Sequence, residues 1–182
     1  MDVKTVTKKT LRVLKEAKIP YMIVGGLAVN YHGFPRSTID IDLAIRLEGE
    51  SADRLVRAAK RAGFEISGPE VKEMVETGDR FVMMYPKSVY RVDFWLVKTD
   101  YEKEALERRR QVQIFDVQTW ICSPEDLVLT KLDAGRGKDL DDALGVLHRQ
   151  KGKLDLEYLR CQARRLGVSR KLNELLEKLR IN

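Results

Sequence analysis

Residues 21–43 read YMIVGGLAVNYHGFPRSTIDIDL, and this stretch decides the fold of the chain. The short apolar run Tyr21–Val24 predicts a strand, which a pair of glycines follows directly. Residues 27–31 then predict a short helix, and a loop with glycine and proline follows it. A second strand is predicted over Ile39–Ile45. The chain therefore begins its fold with a strand, a glycine pair, a helix and a second strand.

The second strand carries two aspartates with one residue between them. Because side chains alternate along a strand, Asp40 and Asp42 share one face, while Ile39, Ile41 and Leu43 are predicted to point into the core. Two carboxylates this close repel each other, and a divalent cation is the usual partner of such a pair. An ordinary solvent-facing strand is the alternative, although aspartate is a poor strand former. The pair is thus a candidate metal site.

A third acid, Asp93, lies in the otherwise apolar run Tyr90–Val97, which also predicts a strand. One interpretation is an ion pair with Arg91, which lies two residues away on the same face. The other is a third metal ligand on a strand adjacent to the aspartate pair. Three such carboxylates would hold two magnesium ions about 4 Å apart.

The glycine pair, Gly25 and Gly26, also has two interpretations. Glycine suits a plain tight turn, because it adopts backbone angles that other residues resist. Between a strand and a helix, the same pair would let phosphate oxygens approach the backbone amides at the positive end of the helix. That arrangement suits a nucleoside triphosphate.

The rest of the chain mixes helices with strands and is helical at its end. Amphipathic spacing predicts helices over Val3–Ala17 and Ala52–Ala62. Further strands are predicted over Phe64–Ile66, Phe81–Tyr85, Val89–Val97, Val112–Phe115 and Val117–Ile121, with a turn of Pro86, Lys87 and Ser88 before the third of these. Ser123 and Pro124 begin a helical region with segments Leu127–Ala134, Lys138–His148, Asp155–Leu166 and Ser169–Leu179.

With 182 residues, 43% of them hydrophobic, the chain is long enough for one domain with its own core. Its formal net charge is +6, and residues 143–182 carry this whole excess, with ten basic and four acidic side chains. A basic helical tail attracts phosphate backbones, although a solvated helix face is the commoner explanation. Cys122 and Cys161 match neither a disulfide framework nor a zinc site, which favours a reducing compartment.

Other segments predict no chemistry of their own. Residues 1–18 contain lysines and no apolar block, and the apolar stretch Tyr21–Val29 is too short to cross a bilayer, so we expect a soluble cytoplasmic protein. His32 and His148 are isolated and are expected to be structural or solvated. The run of arginines at 108–110 is expected to be a solvated face.

Together these residues resemble the nucleotidyltransferase superfamily of the DNA polymerase beta type. The shared pattern is an apolar strand, a glycine motif, a short helix, an acid pair and a later acid in a strand, met here by Ile23, Val24, Gly25, Gly26, Asp40, Asp42 and Asp93. The segment RSTIDIDL at 36–43 is similar to minimal bacterial and archaeal members, including the AbiEii-type toxins of toxin–antitoxin pairs. Many members carry serine at the position of Gly26, so a hydroxyl contact to phosphate is absent here.

The resemblance extends to a downstream helical motif. Its residues here are Ser123, Pro124, Glu125, Asp126, Leu127, Lys131, Arg136, Lys138, Asp139 and Asp142. By this resemblance Lys131 would approach the phosphates and offset their developing charge. A solvated helix lysine is the alternative, and Arg136 with Asp139 could equally form a structural ion pair.

The resemblance also implies a role for each residue of the glycine and aspartate motifs. Asp40, Asp42 and Asp93 would bind two Mg²⁺ ions when an NTP is present, and Asp93 would help to deprotonate the attacking hydroxyl. Gly25 and Gly26 would position the triphosphate. The predicted catalytic set is Asp40, Asp42, Asp93 and Lys131, and the predicted nucleotide-binding set is Gly25, Gly26, Arg36, Thr38 and Lys131.

The implied fold is α/β (α+β), a small mixed sheet flanked by helices, with residues 1–122 as core and residues 123–182 as a helical extension packed on it in one structural unit. The implied activity is Mg²⁺-dependent transfer of an NMP from an NTP to a hydroxyl of RNA or protein, in the setting of a toxin–antitoxin pair. The alternatives are transfer to a small molecule of antibiotic type and a catalytically inert binding module. Candidate partners are RNA or tRNA at the basic tail, an antitoxin and a second copy of the chain, without a membrane.

Overall fold

The computed structural model of the chain describes residues 2–78, 80–86 and 88–181. The helices are α1 (Val3–Glu16), α2 (Gly25–His32), α3 (Ser51–Arg61), α4 (Gly68–Thr77), α5 (Asp100–Glu107), α6 (Pro124–Ala134), α7 (Gly137–Arg149), α8 (Leu156–Arg165) and α9 (Ser169–Leu179). The strands are β1 (Tyr21–Ile23), β2 (Asp40–Ile45), β3 (Arg80–Met84), β4 (Arg91–Leu96), β5 (Arg110–Ile114) and β6 (Val117–Ile121). Lys87, predicted to lie in a turn, is outside the described residues.

The six strands form one mixed sheet in the order β3-β4-β2-β1-β6-β5. The pairs β1–β2, β3–β4 and β5–β6 are antiparallel, whereas β2–β4 and β1–β6 are parallel. The strands β1, β2 and β4 therefore form the centre of the sheet. The small mixed sheet with surrounding helices confirms the predicted α/β fold class.

The central strands bury one face completely. Ile41 and Leu43 of β2 and Phe94 of β4 have no exposed surface, and Phe94 packs against Phe81 of β3 with ring centroids 5.0 Å apart. Ile39 lies before β2 and is 61% exposed, so its predicted place in the core is wrong. The strand begins only at Asp40, which leaves the other face of β2 to carry the polar side chains.

One strand prediction near residue 65 is wrong, and one helix was not predicted. Phe64–Ile66 is not a strand of the sheet, because only a single bridge joins Glu65 to Met84. Helix α4 was missed, although Ser67 caps it by accepting a hydrogen bond from the Glu70 N–H. Its apolar face is narrow, with Val71 buried and Met74 and Val75 partly buried against the core.

The C-terminal helices follow the predicted order, and α6 and α7 pack against α2. The arginine run does not form a solvated face. Arg108 lies over the Tyr158 ring at 3.6 Å, Arg109 lies over Trp120 at 4.7 Å, and Arg110 donates to the fully buried Glu125. No helix within the described ranges is both long and apolar enough to cross a membrane.

Candidate active site

The three predicted aspartates lie side by side at the centre of the sheet. In the parallel pair β2–β4, Asp42 is the register partner of Asp93, and Asp40 is the partner of Arg91. Directly paired residues project from the same face of a sheet, so the three carboxylates share a face. Asp40 and Asp42 are partly exposed, whereas the Asp93 side chain is only 2% exposed.

The Arg91 guanidinium lies between the carboxylates of Asp40 and Asp93. Its Nε is 2.8 Å from Asp40 Oδ1 and 3.0 Å from Asp93 Oδ2. The ion pair that the sequence offered as an alternative for Asp93 therefore exists beside the carboxylate cluster. The two carboxylates raise the pKa of the Arg91 guanidinium. One cation thus offsets part of the repulsion among three acids.

Asp93 retains an unsatisfied oxygen. Among the described residues no hydrogen-bond donor reaches its buried Oδ1, and the Arg80 Nη1 lies 3.8 Å from it. Burial raises the pKa of Asp93, although Arg91 acts in the opposite direction. A buried acceptor without a partner costs free energy, which a bound cation would remove.

Gly25 begins α2 in contact with Asp42. Its φ of +59° is a left-handed conformation, and a Cβ at this position would lie 2.1 Å from Asp42 Oδ2 and 2.7 Å from Asp42 Cβ. No side chain caps α2, so its first backbone N–H groups remain available beside the carboxylate. The glycine is therefore required both by its backbone and by the space that Asp42 occupies.

Gly26 makes the second close approach, to Thr38. A Cβ at Gly26 would lie 2.5 Å from Thr38 Oγ1, and that hydroxyl donates a hydrogen bond of 3.1 Å to the Asp40 carbonyl. Thr38 thereby connects the start of β2 to the start of α2. The structure brings the predicted Gly25, Gly26 and Thr38 to the same edge of the carboxylate site.

The predicted cations Lys131 and Arg36 lie in a buried ion cluster next to this edge. Lys131 Nζ is 2.8 Å from Asp139 Oδ1 and 2.9 Å from Asp142 Oδ2. Arg36 forms a bidentate pair with Asp142. Arg136 pairs with Asp139, as one interpretation predicted. The alternative of a solvated Lys131 is wrong, because its side chain is only 9% exposed.

This cluster keeps its two acids ionised. Burial by itself would raise the pKa values of Asp139 and Asp142. Hydrogen bonds from Arg136 and Lys131 outweigh burial at Asp139, and those from Arg36 and Lys131 do so at Asp142, so both pKa values are lowered. Three cations against two carboxylates leave the cluster with an excess of positive charge beside Asp42.

Sequence reasoning missed two side chains of the site, Trp95 and Arg80. Trp95 is 42% exposed and its Nε1 donates to Asp42 Oδ1 at 3.3 Å. Arg80, its register partner on β3, lies over the indole ring at 5.1 Å from the centroid. The position of Trp95, two residues after Asp93 in a strand, was a signal that could have placed it on the carboxylate face.

Two groups placed elsewhere by the fold have structural roles. His32 is buried, and its Nε2–H donates to the Cys122 carbonyl at 2.9 Å. Of its two predicted environments, the structural one is correct. Cys122 and Cys161 are both free thiols, in agreement with the absence of a predicted disulfide pair.

The donor set fits a divalent cation. Asp40, Asp42 and Asp93 supply hard carboxylate oxygens, and the unsatisfied Oδ1 of Asp93 is an available ligand. Within the described residues no three acidic, histidine or cysteine side chains are already arranged around a metal position. The Arg91 guanidinium lies between Asp40 and Asp93 and bonds to both, so it would have to release them before they could bind a metal ion.

This arrangement defines the nucleotidyltransferase superfamily. It consists of two aspartates on β2, a third on β4 and a helix that begins with glycine directly after β1. The sequence model of the family described as "Nucleotidyltransferase of unknown function (DUF6036)" matches residues 2–170. The chain therefore belongs to this nucleotidyltransferase family, which confirms both the resemblance and the assignment as an enzyme. No curated protein shows significant similarity to the chain.

Solved structures share the fold at low identity. The antibiotic-resistance factor ANT(2'')-Ia is 16% identical with a TM-score of 0.62, over 94% of this chain and 96% of that one. A nucleotidyltransferase-like protein from Paracoccidioides brasiliensis is 20% identical with a TM-score of 0.54, over 96% and 91%. The lincosamide adenylyltransferase LnuA is 13% identical with a TM-score of 0.51, over 80% and 96%. These similarities confirm the fold.

Proposed function

We propose that the chain transfers a nucleoside monophosphate from an NTP to a hydroxyl group, with Mg²⁺ bound by Asp40, Asp42 and Asp93. The observation that carries the proposal is the β2–β4 register, which aligns Asp42 with Asp93 beside the start of α2. Clustered carboxylates next to free helix N–H groups suit a metal-bound triphosphate. The proposed setting is the cytoplasm, where NTPs are abundant.

The bound Mg²⁺ ions would supply charge stabilisation at the reacting phosphorus. The acceptor oxygen forms a bond to the α-phosphorus while the bond to the bridging oxygen of pyrophosphate breaks. The hydroxyl proton passes to a carboxylate, and Asp93 suits this role because it lies beside Asp42 at the centre of the site. The products are the nucleotidylated acceptor and pyrophosphate.

Residues at the glycine edge would hold the triphosphate. The first N–H groups of α2, which no side chain caps, would donate to phosphate oxygens beside Asp42. Lys131, Arg36 and Arg136 would supply positive charge on the same side. Lys131 would act on the phosphates at a distance through its charge, or it would exchange a carboxylate partner for a phosphate oxygen when the triphosphate binds.

Incubation with α-³²P-labelled NTPs, Mg²⁺ and total cellular RNA or protein tests the proposal. We expect label transfer that EDTA abolishes and that Asp42→Ala reduces by about 100- to 1000-fold, in line with loss of a transition-state electrostatic contact. The matched control is Asp141→Ala, which changes an exposed aspartate on α7. Transfer that survives Asp42→Ala, or the absence of transfer to every acceptor, would contradict the proposal.

A small hydroxylated molecule is the second candidate acceptor. The specific observation is the similarity to ANT(2'')-Ia, which spans nearly the whole of both chains. Parallel assays with aminoglycosides and lincosamides distinguish this candidate, since only a true acceptor acquires label in Asp42-dependent fashion. A toxin role is a further proposal, for which growth arrest on expression, abolished by Asp42→Ala, is the expected result.

A further inference from the structure

The two sides of the carboxylate site differ in chemistry. On one side lie β1, the start of α2 and the cations Arg36, Lys131 and Arg136. On the other side lies β3, at the edge of the sheet beyond β4. In phosphoryl transfer the attacking and leaving oxygens stand roughly in line on opposite sides of the phosphorus. If pyrophosphate leaves toward α2, the acceptor hydroxyl arrives from the β3 side.

The surface on that side is exposed and partly apolar. It consists of Arg80, Val82 and Met84 on β3 with Arg91 and Trp95 on β4, here called the acceptor face. The register pairs Arg80 with Trp95, Val82 with Asp93 and Met84 with Arg91, so all five side chains project from the aspartate face of the sheet. Met84 is 44% exposed and Trp95 42%.

Trp95 is fixed at the boundary between this face and the metal ligands. Its indole N–H donates to Asp42 Oδ1, and its register partner on β2 is the small residue Ala44, while the Trp95 side chain stays 42% exposed. Arg80 approaches the ring with its guanidinium and lies 3.8 Å from Asp93. A planar group stacked on Trp95 therefore lies beside the reacting carboxylates.

The charges of the acceptor face select the class of acceptor. Arg80 and Arg91 are each nearly half exposed, and both lie close to Asp93, so the carboxylates of this face offset their charge. The metal ions proposed above would release Arg91 from Asp40 and Asp93 and leave its guanidinium available for a phosphate of the acceptor. An aromatic ring beside arginines is the combination that binds single-stranded nucleic acids, because bases stack on the ring and the arginines contact the backbone.

We propose that the acceptor face binds the 3′-terminal nucleotide of a single-stranded nucleic acid, with its base stacked on Trp95 and its phosphate bound by Arg80 and Arg91. The inference rests on the proposed function and names the acceptor of the same site. It places the terminal 3′ hydroxyl near Asp93, the carboxylate that would take its proton. The basic C-terminal helices are not required for this contact.

Fluorescence titration with Mg²⁺ but without NTP tests the binding step separately from catalysis. Trp120→Phe leaves Trp95 as the only tryptophan. We expect an eight-nucleotide single-stranded RNA to quench its emission, and a DNA oligonucleotide of the same sequence distinguishes the two kinds of strand. Measured by the anisotropy of a dye-labelled oligonucleotide, binding should weaken by about tenfold or more in Trp95→Ala, which is the usual effect of losing one stacked base.

Matched variants separate stacking from general attraction to a basic protein. Trp120→Ala changes a partly buried tryptophan on β6, on the other side of β1 from the acceptor face, and it should leave oligonucleotide affinity unchanged. Arg80→Ala should weaken binding and reduce its salt dependence. Equal affinities for the Trp95→Ala and Trp120→Ala variants would overturn the proposal. So would quenching by aminoglycosides or lincosamides in preference to the oligonucleotide.

Donor binding provides the remaining distinction. ATP with Ca²⁺, titrated by calorimetry, should lose much less affinity for the Trp95→Ala variant than the oligonucleotide does, because Trp95 touches the metal ligand Asp42 but would not stack on the donor. A loss of ATP affinity with unchanged oligonucleotide affinity would assign Trp95 to the base of the donor and overturn the proposal. Absence of label transfer with intact Trp95-dependent oligonucleotide binding would contradict the proposed function alone and leave the acceptor face supported.

Discussion

Gly25 and Asp42 are in such close contact that the space for a methyl group on Gly25 is already taken by the Asp42 carboxylate. The glycine belongs to the start of α2 and the aspartate to the centre of β2, and the Val24 N–H donates to the Asp42 carbonyl at 3.0 Å beside them. The phosphate-type motif and the metal-type motif are therefore one packed unit. Neither can move without displacing the other.

The first prediction concerns this contact. Gly25→Ala should lower transfer activity by about 100-fold, because it displaces Asp42 by an ångström or more. Gly49→Ala is the matched control, since Gly49 has a similar φ of +51° but no atom within 4 Å of the added Cβ. Both variants should lose about 1–2 kcal/mol of unfolding free energy from the left-handed backbone. Equal activities of the two variants would contradict the prediction.

The second prediction concerns the unsatisfied oxygen of Asp93. Mg²⁺ or Mn²⁺ at 100 times its Kd should stabilise the wild type by about 2.7 kcal/mol, a rise in Tm of roughly 5–10 °C for a chain of this size. Asp93→Asn should lose most of that rise, because the amide is a weaker ligand than the carboxylate. Asp141→Asn should keep it. A thermal scan with and without metal measures the difference.

The third prediction concerns Lys131. Replacement by Met would leave Asp139 and Asp142 short of one buried partner, and we expect a loss of about 3–5 kcal/mol in unfolding free energy. Lys138→Met changes an exposed lysine in the next helix and should cost little. Urea denaturation of both variants gives the comparison. A Lys131→Met variant as stable as the Lys138→Met variant would show that the ion cluster contributes no stability.

The fourth prediction concerns pH and His32. Burial lowers the pKa of His32 below its ordinary value of 6.5, so the folded state favours the neutral ring. The contribution of neutral His32 to the free energy of unfolding is fully present above pH 6.5 and falls as the pH drops. Below that pH, His32 of the unfolded chain binds a proton that it does not bind in the folded chain. The slope approaches about 1.4 kcal/mol per pH unit until the folded pKa is reached.

Urea denaturation at pH 7.5 and 5.5 measures this dependence. His32→Gln should reduce it, since a glutamine amide can donate to the Cys122 carbonyl without titrating. His148→Gln alters the other, exposed histidine and should leave the dependence of the wild type in place. A wild-type stability that is unchanged or greater at pH 5.5 would contradict the assignment to His32.

The sequence predicts the side chains at the centre of the sheet, but it does not predict the contacts that surround them. Alternation in β2 and β4 predicts which faces carry Asp40, Asp42 and Asp93, because strand geometry is local. It does not predict that Arg91 bonds two of them at once, since that depends on the parallel register. Lys131 was expected either near phosphate or in solvent. Its actual partners, Asp139 and Asp142 of α7, come close only through tertiary packing, which the sequence does not show.

The site residues missed by sequence reasoning have a common cause. Trp95 and Arg80 become neighbours of the carboxylates only through the pairing of β3 with β4, and each by itself is an ordinary strand residue. Helix α4 was missed for a different reason, since its apolar face consists of Val71, Met74 and Val75 only. Periodicity identifies broad apolar faces more readily than a narrow one between charged residues.

The parallel pairing of β2 with β4 also has a kinetic consequence. Helices α3 and α4 and strand β3 all lie between Asp42 and Asp93 in the chain, so the two carboxylates meet only after a long loop has closed. Contacts between residues distant in sequence form slowly, because the entropy of loop closure must be overcome first. The carboxylate cluster therefore forms only once the chain from β2 to β4 has folded back on itself, and a metal ion that binds there would report this pairing.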